Sequence, residues 1–175
     1  EISTETLNVA PVQKPTPPIY VTSNQTDMAY NIGKAGRSLL TIVTPAVESL
    51  DEIGERIKAH KKGISDGGHA SDSAEAVAVV FTHVNETEDK AKEVGIPALG
   101  HLLSKLSGNT IPDATDIYNV MQSKGTGLFG SEQQVANILK KYERVGVEHI
   151  ACLNRFGAMI ELKKPPNAPP TDIVT

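Results

Sequence analysis

Short β-branched runs alternate with longer amphipathic runs along this chain of 175 residues. Four of the short runs are predicted to be strands, at 18–23, 39–44, 76–84 and 147–153. The run at 76–84, AVAVVFTHV, is apolar almost throughout, as a strand buried on both faces requires. Because the strands are separated by helix-length segments, they cannot pair as hairpins and must be joined by right-handed crossovers. The sequence therefore predicts an α/β fold with parallel strands and crossover helices.

The helix predictions depend on the spacing of apolar residues and on capping residues. In the segment 49–63, apolar residues recur at intervals of three and four, and Ser49 with Glu52 forms a capping box. We expect Gly63 to end this helix. Three further helices are predicted, at 26–36, from about 88 to 106 with an interruption at Pro97, and at 131–146.

Composition excludes several classes of function. The net charge is −4, and no run of Lys or Arg exceeds two residues, so nothing resembles a nucleic-acid-binding surface. No apolar run reaches the length of a membrane span. Cys152 is the only cysteine, which excludes an intrachain disulfide and a thiolate zinc cluster and fits a reducing compartment. These features predict a cytoplasmic protein that acts on a small molecule, with no nucleic-acid and no membrane partner.

Four of the five histidines show no spacing that is typical of metal ligands, either with one another or with carboxylates. They are His60, His69, His101 and His149. We therefore predict no metal site.

One glycine-rich stretch, KGTGLFGSEQQVANILKKY at 124–142, has the spacing of a dinucleotide-binding loop. Its three glycines are Gly125, Gly127 and Gly130. Such a loop must leave a buried strand directly, and the preceding DIYNVMQSK does not read as one. Ser131 and Gln134 form a capping box that explains the helix start without a ligand. We interpret the glycines as shaping a loop, and a nucleotide site at Gly125 stays as an alternative.

Two longer stretches carry a family resemblance. The first, at 11–63, runs from PVQKPTPPIYVTSNQT to ERIKAHKKG, and the second, at 127–157, is GLFGSEQQVANILKKYERVGVEHIACLNRFG. They resemble the second half and the last helix and strand of the bacterial-luciferase-like flavin-dependent monooxygenases. The LLT strand and the IACL..FG ending are most similar to the subgroup found with polyketide and nonribosomal peptide assembly lines. The resemblance extends over most of 11–157.

This resemblance implies a particular fold and domain organisation. The family fold is a (β/α)8 TIM barrel of ~250 residues or more, and this chain has room for about four of the eight units. It thus resembles the C-terminal half of a barrel at 18–160, preceded by a Pro-rich lead-in at 1–17 and followed by a Pro-rich tail at 161–175. Residues 107–126, which have no clean period, would be an insertion or a lid loop.

Half a barrel exposes two sheet edges and an open apolar interior, which is unfavourable in water. An N-terminal barrel half must therefore come from the same chain, from a second polypeptide or from another copy, and we expect an oligomer.

The resemblance also implies an activity. Reduced FMN, supplied by a separate flavin reductase, would react with O2 and oxygenate an organic substrate in a biosynthetic reaction. The substrate would be a small molecule or one bound to a carrier. A non-catalytic barrel-half subunit, or a binding partner that completes another chain, is the alternative. It is favoured by departures from the family at the phosphate turn, which often holds an acidic residue, and at Arg155, where the related subgroup tends to be acidic.

In such barrels the active site lies at the C-terminal ends of the strands. At the first of these ends, the resemblance places the FMN phosphate in the turn VTSNQT, where a helix start favours an anion. The predicted cofactor-binding residues are Thr22, Ser23, Asn24, Gln25 and Thr26. The alternative is that Asn24 or Thr26 is only the N-cap of the helix.

Other candidates follow the remaining strands. His83 is predicted to be the catalytic residue, because its titration range suits a general acid or base, and otherwise it is a satisfied structural histidine. Thr44, Asn154 and Arg155 are predicted to bind substrate, although Thr44 could simply favour a strand and Arg155 could face solvent. Cys152 is expected to pack inside its strand and not to act as a nucleophile.

Overall fold

The computed structural model describes residues 12–14, 17–44 and 47–154. The strands in these ranges are β1 (Tyr20–Thr22), β2 (Ser38–Ile42), β3 (Ala76–Asn85), β4 (Leu128–Ser131) and β5 (His149–Leu153). The helices are α1 (Thr26–Lys34), α2 (Leu50–Asp66), α3 (Glu88–Ser107), α4 (Thr115–Lys124) and α5 (Glu132–Arg144). All four predicted strands are present. The predicted Pro-rich tail lies outside the described residues, as does most of the lead-in.

The sheet is parallel throughout the described residues. β1 pairs with β2, β2 with β3, and β3 with β5. β4 pairs with β3 only beyond that point, over Thr82–Asn85. Apart from this short β4 pairing, the strands lie side by side in the order β1-β2-β3-β5, and helices connect each strand to the next along the chain. This arrangement confirms the predicted α/β fold with parallel strands and crossover helices.

The main core lies on one face of this sheet. Side chains alternate between faces along a strand, and paired residues of neighbouring strands share a face. Leu39 of β2, Val43 directly after β2, and Ala78 and Val80 of β3 are fully buried in a cluster with residues of α1, α2 and α5. The helices therefore cover this face, as the outer helices of a barrel do.

The opposite face of the sheet is apolar but incompletely covered. Five aliphatic side chains on this face belong to neither core cluster of the described residues and are half-buried or exposed: Leu40, Ile42, Val77, Val79 and Ala151. We call these five residues the open face. A second cluster, which includes Phe81, Leu99, Tyr118, Met121 and Phe129, lies at its end, where α3 and α4 pack on β3 and β4.

Helices α1 and α2 approach each other closely through glycines. A Cβ atom on Gly33 would lie 2.1 Å from the carbonyl oxygen of His60, and one on Gly63 would lie 2.1 Å from that of Tyr30. The prediction that Gly63 ends α2 is therefore wrong, because this glycine permits backbone contact inside the helix. The helix continues to Asp66, and Gly67 is its C-cap.

Three further predictions differ from the structure. Helix α3 runs without interruption through Pro97, whose ring lies on the exposed side. The segment 107–126 contains the helix α4, although it lacks a clean apolar period. Cys152 lies in β5 as predicted but is exposed, because β5 has no strand on its outer side within the described residues.

Candidate functional site

The C-terminal ends of parallel strands meet at one edge of the sheet, and most of the predicted site residues lie there. The turn 22–26 runs from the last residue of β1 to the first residue of α1, Thr44 lies two residues after β2, and His83 lies near the end of β3. Asn154 is exposed and directly follows β5. Arg155 lies outside the described residues.

The turn 22–26 leads into a helix start that no side chain caps. Gln25 occupies the N-cap position of α1 and makes no side-chain hydrogen bond to the helix. By contrast, side chains of Ser49, Thr87 and Ser131 cap α2, α3 and α5. The alternative that Asn24 or Thr26 serves as the N-cap is therefore wrong. The first amides of α1 are left to bind another acceptor, and the helix dipole favours an anion there.

The side chain of Asn24 joins this turn to β2. Its Oδ1 accepts hydrogen bonds from the Ile42 amide at 3.1 Å and from the Thr41 hydroxyl at 3.2 Å. Its Nδ2 donates to the Ile42 carbonyl at 2.9 Å and to Thr44 Oγ1 at 3.4 Å. Ser23 Oγ accepts from the Gln25 amide at 3.1 Å. The structure thus brings Thr44 together with the turn.

A buried ion pair lies behind this contact. Arg56 and Glu48 are only 4% and 8% exposed, and they form a salt bridge. Arg56 also donates to Thr41 Oγ1 at 2.6 Å, and Glu48 accepts from the Thr44 amide at 2.8 Å. The sequence prediction missed both residues. The available signal was a charged residue at position 56, on the apolar side of the α2 pattern.

One buried tyrosine adjoins this ion pair. Burial first, and the negative charge of Glu48 second, raise the pKa of the Tyr142 hydroxyl far above its ordinary value. The phenol therefore stays protonated and neutral at any physiological pH.

His83 lies at a separate place on the same edge of the sheet. It is paired in register with Phe129 of β4, and the two ring centroids are 6.5 Å apart. Gly95 of α3 packs on the Phe129 ring, which leaves no room for a larger residue there. Nε2 of His83 is buried and has no hydrogen-bond partner among the described residues. Buried polar groups usually have a partner, so this nitrogen is left to bond a group from outside the described residues.

The glycine-rich stretch forms a loop and a capped helix start. Gly125 has a φ of 69° and ends α4, and Gly130 lies against the Gln134 side chain with a φ of 129°. Ser131 and Gln134 form the predicted capping box, so the start of α5 is satisfied by its own side chains. The sequence did not predict β4, because four residues are too few to establish a period.

The described residues offer little for other chemistry. No group of three or more His, Cys, Asp or Glu side chains in them is placed to hold a metal ion. None of the described helices is both long and apolar enough to cross a membrane. A cavity of about 450 Å³ lies at the opposite end of the sheet, between the end of α2 and the residues before β3 and β5. It is lined by His60, His69, Glu75 and Glu148, among others.

Solved structures with this arrangement include several oxidoreductases. The monooxygenase RslO1 from Streptomyces bottropensis has 16% sequence identity and a TM-score of 0.69, over 84% of this chain and 44% of that one. The oxygenating constituent of 3,6-diketocamphane monooxygenase from Pseudomonas putida, solved with FMN, has 17% identity and a TM-score of 0.55, over 81% and 42%.

A coenzyme F420-dependent tetrahydromethanopterin reductase from Methanopyrus kandleri has 14% identity and a TM-score of 0.53, over 78% and 44%. No family model and no curated protein sequence matches this chain. The chain spans less than half the length of each of these three proteins. These similarities show the fold: a parallel sheet with crossover helices, as in the luciferase-like TIM-barrel enzymes, over a length consistent with half of a barrel.

Proposed function

We propose that this chain is the C-terminal half of a luciferase-like flavin-dependent monooxygenase, which oxygenates an organic substrate with reduced FMN and O2. The observation that carries the proposal is the uncapped start of α1 at the C-terminal end of β1, in a sheet shared with two monooxygenases. In a barrel this edge of the sheet is where active sites lie.

The donors in the turn fit the phosphate group of FMN. The amides that begin α1 and the hydroxyls of Ser23 and Thr26 are neutral donors of the kind that helix starts offer to phosphates. The turn 22–26 contains no Lys or Arg, and Asp27 follows it. We therefore assign the cation that balances the phosphate to the N-terminal half. Bound reduced FMN would supply the electrons that activate O2.

The open face supports the need for that N-terminal half. Ile42 is 39% exposed on it, and the outer edges of β1 and β5 have no strand beside them in the described part of the chain. Exposed apolar surface and open strand edges favour association. The missing half would come from the same chain, a second polypeptide or another copy, and would close the barrel over this face.

The proposed roles of the other site residues follow from their positions near the C-terminal ends of the strands. His83 Nε2 would hold or release a proton for the reacting atoms, and Thr44, Asn154 and Arg155 would contact the substrate. The segment 107–126, which includes α4, would cover the site as a lid and exclude water. The protein would work in the cytoplasm in a biosynthetic reaction, with a separate flavin reductase and a small-molecule or carrier-bound substrate.

The experiment is to mix reduced FMN with O2 and to follow the return of the oxidised-flavin absorbance. The protein, purified with whatever polypeptide completes its barrel, is expected to bind the reduced flavin and change that rate. His83→Gln should lose most of the change, whereas the control His101→Gln, in a partly exposed position on α3, should keep it. No flavin binding at all would contradict the proposal.

A non-catalytic barrel-half subunit is the second candidate. It is favoured by the absence of a cation in the turn, which leaves a phosphate dianion without a charge partner there. This candidate predicts a stable complex with another chain but no flavin binding by that complex.

A further inference from the structure

The backbone ladder between β1 and β2 ends earlier than β2 itself. The last backbone bond between them runs from the Ser23 amide to the Leu40 carbonyl at 3.1 Å. The next β2 residue that faces β1 is Ile42, because successive residues of a strand point their amides to alternate sides. Its amide and its carbonyl both bond the side chain of Asn24, at 3.1 and 2.9 Å. A side-chain amide thus takes the place of a missing β1 peptide unit.

These contacts use the whole hydrogen-bonding capacity of the Asn24 side chain. A side-chain amide has two acceptor sites on its oxygen and two N–H donors. The oxygen receives the Ile42 amide and the Thr41 hydroxyl, and the nitrogen donates to the Ile42 carbonyl and to Thr44 Oγ1. No donor of this side chain remains for a phosphate oxygen.

Asn24 is also one member of a closed ring of contacts. Arg56 donates to both Thr41 Oγ1 and Glu48, and Glu48 accepts from the Thr44 amide. Thr44 Oγ1 accepts from Asn24, and the Thr41 hydroxyl donates to Asn24, which closes the ring. Arg56, Glu48 and Thr41 are each less than a tenth exposed, so the ring is anchored in the interior. Its other two members, the exposed Asn24 and the half-buried Thr44, lie at the sheet edge of the candidate site.

We propose that Asn24 is a positioning residue for the flavin phosphate and not a ligand of it. Its saturated amide fixes the turn 23–25, and hence the first amides of α1, relative to Thr44, and the Arg56–Glu48 pair holds the ring in place. The inference rests on the proposed function, because it assigns how this chain presents its phosphate site. Since Asn24 is exposed, water replaces its bonds when it is removed, and the fold loses little stability.

Two measurements test this role, the first on the 175-residue chain and the second on the completed barrel. The first is amide hydrogen exchange at Ile42, whose N–H bonds only Asn24 among the described residues. In Asn24→Ala this amide should exchange about tenfold faster, as expected when a single hydrogen bond is lost. The second is the ratio of FMN to riboflavin affinity, measured with the completed barrel by flavin fluorescence. Riboflavin lacks the phosphate, so the ratio reports the phosphate site alone.

We expect Asn24→Ala to weaken FMN binding about tenfold and riboflavin binding less than about twofold. Arg56→Lys replaces the two guanidinium nitrogens that bond Thr41 and Glu48 by a single ammonium, so it should loosen the ring and lower the ratio in the same direction. The control is Ile57→Val, which removes a methylene from the core at the position next to Arg56. It should change neither the FMN-to-riboflavin ratio nor the exchange rate of the Ile42 amide.

Unchanged exchange at Ile42 in Asn24→Ala would overturn the proposal. A lowered ratio in Asn24→Ala but not in Arg56→Lys would identify Asn24 as a direct ligand and would overturn it equally. If the unmodified protein binds neither flavin, the proposed function fails, and exchange at Ile42 still decides whether Asn24 holds the turn.

Discussion

Replacing Gly33 with alanine should separate the two helices that support the candidate site. The new Cβ would lie 2.1 Å from the His60 carbonyl oxygen, whereas real Cβ atoms do not approach within 3.0 Å, so the helices must move apart by about 0.9 Å. The obstacle is backbone, which no change of rotamer relieves. Overpacking of this kind costs about 1–3 kcal/mol, and the better helix propensity of alanine returns about 1 kcal/mol. Because the overlap is severe, we expect a net loss of about 2 kcal/mol.

Urea unfolding followed by far-UV circular dichroism measures this loss. Asn31→Ala is the matched control, because Asn31 is exposed on the same helix and gains propensity without a clash. Gly63→Ala should be similarly costly, and the double variant should cost less than the sum, since one separation of the helices relieves both overlaps. A Gly33→Ala protein as stable as the Asn31→Ala control would refute the reasoning about close backbone contact.

Three further predictions concern stability. Arg56→Met should cost about 3–5 kcal/mol in urea unfolding, because it leaves the buried Glu48 carboxylate unpaired, and adding Glu48→Gln should recover part of that loss. Burial lowers the pKa of His60, so the unfolded chain takes up a proton at a higher pH than the folded chain does. The free energy of unfolding should therefore fall as the pH drops below about 6.5, and His60→Gln should reduce that fall. Ser131→Ala should lower the stability by about 1 kcal/mol through loss of the α5 cap, whereas Ser131→Asp, another good cap, should stay close to the original protein in thermal unfolding.

Periodicity and capping were sufficient to predict the architecture. The continuous apolar run of β3 predicted a buried central strand, and the structure places it between β2 and β5. The capping boxes at Ser49 and Ser131 start α2 and α5 as expected, because such caps depend only on residues three apart in sequence. Local interactions of this kind leave a signature in the sequence.

Features that depend on distant contacts left no such signature. Gly63 looked like a helix end, yet its role is set by Tyr30 of another helix. The Arg56–Glu48 pair and its link to Asn24 join three separate elements, and no spacing in the sequence could reveal them. At the candidate site, the sequence predicts a phosphate-binding turn after β1. It could not distinguish an amide that binds a ligand from one that holds the backbone.

The most direct test of the account is a backbone amide NMR titration with FMN, on the protein purified from its own cells with any polypeptide that accompanies it. We predict saturable shifts that are largest at the amides of residues 26–28, where α1 begins. Shifts centred on Gly125–Gly130 would contradict the account in favour of a nucleotide loop, and the absence of saturable binding would contradict flavin binding altogether.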